Sequence, residues 1–274
     1  MYKGQVSRLL KAAALVVLLI CATGVAPAFA APTTLEITAD LLTADTARQI
    51  IEARGRVRIS DGRAVVRANA AVYRVKERRI SLSGDIQFVT SEGDLTAHQA
   101  VAYLTRNRTL ESVEARGNVE VESQRRVLSA DHMVYTPASR ALSARGNVRV
   151  FVPPDMIATG RELFAKQGAV IVLTGRARLQ NRDGYLQGDR LEVDEKAETA
   201  YLRDNVLGEF RDIKITSDAA TLFAKEKKVV FRDRVRIIQP GRTMTADRVT
   251  IFYESRRMIA EGATTIRIED EPGP

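Results

Sequence analysis

Eight positions in this chain invite a chemical reading first: Asp40, Asn69, His98, Asp131, Gly160, Asp189, Asp218 and Asp247 recur about once in every 29 residues. Regularly spaced carboxylates could bind divalent cations. Such a cation needs several oxygens converging on one point, whereas these are single carboxylates with no second ligand at fixed spacing and no glycine-rich calcium loop. The pattern therefore predicts an outward-facing ladder or a turn role for these side chains, with no metal and no other cofactor.

Catalysis finds little to work with. The chain has two histidines, His98 and His132, and His98 fills a place that other periods give to Asp, Asn or Gly. No triad, paired-histidine metal motif or phosphate loop stands out, and without a nucleophile–base pair an enzyme is not expected. Arg56, Arg58, Arg149, Arg176, Arg178, Arg234 and Arg236 alternate with apolar residues, which places them on a solvated face. Anionic head groups are a further use for that face. The formal charge of +8 is the difference of 42 basic and 34 acidic residues. With so mixed a charge and no stacking platform, nucleic acid is a poor candidate partner.

The elements that carry these residues follow from the period itself. Taking Gly55, Gly84, Gly117, Gly146, Gly175, Asp204, Asp233 and Gly262 as anchors, the gaps are 29 residues throughout except for one of 33. Two residues past the anchors stand Val57, Ile86, Val119, Val148, Ala177, Val206 and Val235. Four past stand Ile59, Phe88, Val121, Val150, Leu179, Gly208 and Ile237; eleven past stand Val66, Leu95, Leu128, Ile157, Leu186, Ile215 and Met244. Small residues follow at offset thirteen, and Tyr73, Tyr103, Tyr135, Phe164, Val193, Leu222 and Ile251 stand near offset eighteen, sealing one margin of a core. A spacing of two with β-branched residues predicts strands with one buried face, two runs per period, and the glycines read as bends or bulges.

The first thirty residues belong to delivery. Lys3, Arg8 and Lys11 precede the apolar run Ala12–Ile20, and Ala28-Phe-Ala30 fits a signal-peptidase site, so residues 1–30 are expected to be a cleavable signal peptide and the protein to be exported to the periplasm. The alternatives are an uncleaved anchor and a lipoprotein cysteine at Cys21, which the bulky Ile20 disfavours. Cleavage would remove the only cysteine, leaving packing and backbone pairing to hold the fold. Residues 31–268 are read as one repeat domain and 269–274 as an acidic, disordered tail. Neither end shows a capping helix, which suggests end-to-end self-association through unpaired strand edges.

The repeat resembles a family. Ala115-Arg-Gly-Asn-Val-Glu-Val121 followed by Leu128-Ser-Ala-Asp-His-Met-Val-Tyr135 looks like the OstA/LptA-like proteins of lipopolysaccharide transport, and the resemblance extends over residues 35–268. It implies an all-β fold: an elongated β-jellyroll of two stacked antiparallel sheets, here about eight 29-residue repeats. It also implies a periplasmic conduit for lipopolysaccharide between the inner and outer membranes, with further jellyroll components at each membrane as partners. This chain departs from the shorter members in its number of repeats and in Asp204 and Asp233 at anchor positions.

On that reading Val57, Ile59, Val66, Ile86, Phe88, Leu95 and Val119 line the groove for lipid A acyl chains, continued by Val121, Leu128, Val148, Val150, Ile157, Leu179 and Leu186. Exposing a chain of about twelve methylenes to water costs about 10 kcal/mol, so a carrier must present a continuous dry surface. Two other readings remain: a structural β-solenoid rod whose interior is closed, and a carrier for a different amphiphilic lipid.

Overall fold

A computed structural model of the chain describes residues 36–268, apart from 61–63, 91–92, 107–109, 124, 167–169, 195, 211, 253 and 256. The signal peptide and the acidic tail expected from the sequence lie outside the described residues. Every regular element described is a β-strand except a single 3₁₀ turn at Pro137–Ser139. The strands are β1 (Glu36–Thr38), β2 (Leu41–Asp45), β3 (Ile50–Ser60), β4 (Val65–Arg74), β5 (Arg79–Val89), β6 (Asp94–Leu104), β7 (Leu110–Ser123), β8 (Arg126–Thr136) and β9 (Ala141–Val152). They continue as β10 (Met156–Lys166), β11 (Ile171–Asn181), β12 (Gly184–Asp194), β13 (Thr199–Phe210), β14 (Ile213–Phe223), β15 (Lys228–Gln239), β16 (Arg242–Phe252), β17 (Arg257–Glu261) and β18 (Thr265–Ile268). The described residues divide into two compact units that part between Val148 and Arg149.

Within each unit, strands pair antiparallel with their sequence neighbours, and one device repeats. Arg54 pairs with Ala70 and Val57 with Ala68, so Gly55 and Arg56 together stand opposite the single Asn69. Both residues have positive φ, 72° and 43°. The same two-against-one bulge sets Gly117–Asn118 against Asp131, Gly175–Arg176 against Asp189, Asp204–Asn205 against Asp218 and Asp233–Arg234 against Asp247. A bulge of two left-handed residues bends the strand sharply. Each long strand therefore has two flanks, and the terminal strands show them separately. In the first unit β2 pairs with β3 before the corner and β1 pairs with it after; in the second, β17 and β18 divide β16 in the same way.

Both flanks bury the same face. Ala53 and Val57, on either side of the first corner, are each 2% exposed, and the matching Leu202 and Val206 are 1% and 2% exposed. With no α-helix among the described residues to cover that face, the flanks cover one another, as the two sheets of a jellyroll do.

The four extra residues in the 33-residue gap fall at the turn between β6 and β7, where the pairing register also slips between Tyr103 and Leu104. A second irregularity is hidden in the sequence. Ala158, not Ile157, pairs with Leu179, as Val66 pairs with Phe88 three periods earlier. One residue has been gained between Val150 and Ala158, and one lost before Gly175, so the spacing of anchors stays at 29. Ile157 accordingly faces away from its expected row: Met156 and Ala158 are 1% and 2% exposed while Ile157 is only half-buried. The shift also turns Phe164 outward, leaving Leu163 and Ala165 inside. Tyr103 likewise points out, and Ala102 takes its place opposite Ile80.

Candidate functional site

The recurring acids sit at the corners. Asp40 accepts from Arg56 Nε and Nη2 at 2.9 and 2.6 Å, and Asp218 accepts from Arg234 Nη2 at 2.7 Å. Asp131 and Asp189 accept from the amides of Asn147 and Asn205 at 2.9 and 2.6 Å, and Asp247 accepts from the backbone N–H of Ala263 at 3.0 Å. Asn69 donates to Asp85 at 3.2 Å, and His98 faces Asn118. Apart from Gly160, each offset-fourteen side chain thus reaches the second residue of the next corner, one strand away. Hydrogen bonding from Arg56 holds the Asp40 carboxyl below the ordinary aspartate range, and Arg234 does the same for Asp218. The acids are braces of backbone geometry. Among the described residues no group of three or more His, Cys, Asp and Glu converges on a point where a metal could bind.

The glycine beside each brace has a steric reason. At Gly55 a Cβ would stand 2.5 Å from Asp40 Oδ2 and 3.1 Å from its Cβ. In the shifted fourth period Arg161 occupies the bracing position and its Cβ packs beside Gly175.

The arginines between the apolar positions do face outward. Arg56, Arg58, Arg149, Arg176, Arg234 and Arg236 are exposed, and the half-buried Arg178 stacks 3.7 Å above the Tyr185 ring. Burial, followed by the hydrogen bond that Tyr185 donates to Glu209, pushes that phenol's pKa up. On the first unit's outer face Glu114 accepts from Arg116 and lies 2.9 Å from His132 Nε2; the hydrogen bond from Arg116 is the main reason its pKa is lowered. None of these groups faces the interior, so neither histidine sits where it could serve chemistry there.

The interior differs between the units. In the first, Val57, Ile86, Val119 and Val148 are buried against the corner, with Ala53, Ala71, Ala100 and Ala115 across it. Further from the corner one apolar row runs strand to strand through Ile59, Val66, Phe88, Leu95, Val121 and Leu128. Its ends are buried, but Val66, Phe88, Leu95 and Val121 are only half-buried. On the other flank Ile51, Tyr73, Ile80, Ala102, Val113 and Tyr135 form the matching row, and all but Ile80 are only half-buried. Two apolar margins therefore meet water along the side of this unit away from the corners.

In the second unit the equivalent rows are buried as far as β15, and on β16 they end in the half-buried Met244 and Ile251. Ala158, Leu179, Leu186, Ile215 and Ile237 on one flank, and Ile171, Val193, Ala200, Leu222 and Val229 on the other, are all buried. Large residues here meet small ones. A Cβ on Gly188 would lie 3.5 Å from the Cβ of Leu202, and the space beside Gly208 is taken by Leu186 Cδ2 and the Phe210 ring. Leu163, Leu173, Leu191, Leu202 and Phe231, each at most 5% exposed, line the corner with Ala220, where the first unit has Ala53, Ala71, Ala100 and Ala115 with Leu82 and Met133. Of the residues expected to line a groove, Val150, Leu179 and Leu186 are thus buried core, and Val66, Phe88, Leu95 and Val121 are the ones a ligand could reach without rearrangement. The tyrosines expected to seal one margin, Tyr73 and Tyr135, belong to the second row and are only half-buried, and the sequence reading did not single out their neighbours Ile51, Ile80, Ala102 and Val113.

A family model described as OstA-like protein matches residues 95–247. No curated protein matches the chain. Among solved structures, the chain is similar to LptH from Pseudomonas aeruginosa, described as the LptA-homologous periplasmic component of the conserved lipopolysaccharide transport device. The identity is 16%, the match covers 53% of this chain and 95% of that one, and the TM-score is 0.27.

Proposed function

Because the chain belongs to the OstA-like family, we propose that it is a non-enzymatic periplasmic carrier of lipopolysaccharide, shielding lipid A acyl chains from water between the inner and outer membranes. One observation carries this reading: Val66, Phe88, Leu95 and Val121 form a continuous apolar row on the core face that is only half-buried. A soluble β-protein that buries one face normally closes it, so an apolar row that meets water along four successive strands supports an apolar ligand. Acyl chains would lie along that row, with Val57, Ile86 and Val119 as the floor behind it. Other jellyroll proteins at the two membranes would pass the lipid on, and the strand edges at β1, β2, β17 and β18 offer pairing surfaces for them or for a second copy.

The alternative of a structural β-rod draws on the second unit, whose buried interior matches a scaffold that holds no ligand. The two readings part at Phe88. A photo-crosslinking residue there, in a chain exported by a Gram-negative host, is expected to yield an adduct that reacts with anti-lipopolysaccharide serum. A folded, exported variant that yields none at Phe88, Leu95 or Val121 would favour the rod.

A further inference from the structure

The turn between β4 and β5 carries more positive charge than its own ion pairs account for. Arg74, Lys76, Arg78 and Arg79 fall within six residues, and Glu77 is the one acid among them, 3.9 Å from Arg74 Nε. Arg74 and Arg79 are also directly opposite in the ladder, an arrangement in which like charges repel. Arg79 Nε is buried without a hydrogen-bond acceptor among the described residues. The corresponding turn of the second unit, between β14 and β15, carries three lysines, and these are paired. Lys225 pairs with Glu198 at 3.4 Å, Lys227 with Glu254, and Lys228 with Glu226.

The basic turn adjoins the half-buried margin of the first unit, since Tyr73 and Ile80 immediately flank Arg74 and Arg79. Apolar chains lying on that margin would therefore bring any headgroup to these four cations. We infer that the β4–β5 turn binds the phosphorylated headgroup of the amphiphile while its acyl chains occupy the first unit alone. The inference rests on the lipid-carrier reading and adds to it the chemistry of the headgroup and the unit that holds it. Its logic is charge complementarity: four cations, one of them with a buried unsatisfied donor, suit phosphate oxygens that accept several hydrogen bonds at once. At the corresponding turn of the second unit the lysines are already paired and the adjoining Leu222 and Val229 are buried.

The test compares dissociation constants of the full chain for bis-phosphorylated lipid A and for the same lipid stripped of both phosphates. Replacing Arg74, Lys76 and Arg78 together by glutamine leaves the apolar rows untouched. One charge-assisted contact is worth about tenfold in affinity, so the triple variant is expected to bind the phosphorylated lipid at least about tenfold more weakly. Binding of the stripped lipid should not change, and the control variant Lys225→Gln, Lys227→Gln, Lys228→Gln should match the parent protein for both. In parallel, crosslinkers at Phe88 and Leu95 should capture lipid while those at Leu179 and Leu186 should not. Equal weakening by both triple variants, equal weakening for both lipids, or capture by the second unit would overturn the inference while leaving a lipid carrier in place. Failure of the parent protein to bind either lipid would instead remove the carrier reading on which it rests.

Discussion

At Gly55 the backbone and its neighbour combine to exclude a side chain. A left-handed φ costs a non-glycine residue about 1–2 kcal/mol, and the brace at Asp40 occupies the space a Cβ needs. Gly55→Ala is expected to destabilise the protein by about 1–2 kcal/mol in urea unfolding, whereas Asp204→Gly, at the matching corner with φ 60°, should be neutral or stabilising. The braces also give a pH dependence. The carboxyls of Asp40 and Asp218 titrate below their ordinary value of 3.8 in the folded protein. A depressed folded-state value means the contribution is complete above the unfolded value of about 4 and is lost as pH falls through the folded one. The double variant Asp40→Asn, Asp218→Asn should therefore melt below the parent protein at neutral pH, and the gap in Tm should close as pH drops below about 4. A gap that is the same at every pH would mean the ionised form contributes nothing.

The strands were legible because alternation is a local property. Valine and isoleucine two and four residues past each anchor announced one buried flank, and those of them within the first five corners are buried or half-buried as the period predicts. The flank before the corner was harder to see. Its inward residues Ala53, Ala71, Ala100 and Ala115 are apolar only weakly, and along β4 and β6 the corner flips the parity of the alternation. The shift at Ile157 was invisible for a different reason: one residue gained and one lost within a single period leave the spacing of glycines intact. What alternation cannot report is how near the facing flank lies. Phe88 and Phe231 both face inward, yet Phe88, in the row away from the corner, is half-buried, and Phe231, at the corner, is 1% exposed. Phe231→Ala is accordingly expected to cost about 3–5 kcal/mol and Phe88→Ala less than about half of that, by chemical denaturation. The smaller loss at Phe88 should come with weaker lipid capture.

For the whole molecule, the two units divide the work that a single repeating sequence seemed to share. One has a closed interior in which leucines meet glycines, and the other keeps two apolar margins in contact with water beside an unneutralised basic turn. On the proposed reading the ligand matches both features: long acyl chains on a phosphorylated head. The measurement that bears on this most directly is native mass spectrometry of the full chain purified without detergent from a Gram-negative envelope. The account predicts a bound species whose mass and fragments are those of lipopolysaccharide or its lipid A portion, absent from a Val121→Asp variant that still folds. A folded, lipid-free protein that also fails to take up added lipopolysaccharide would contradict it.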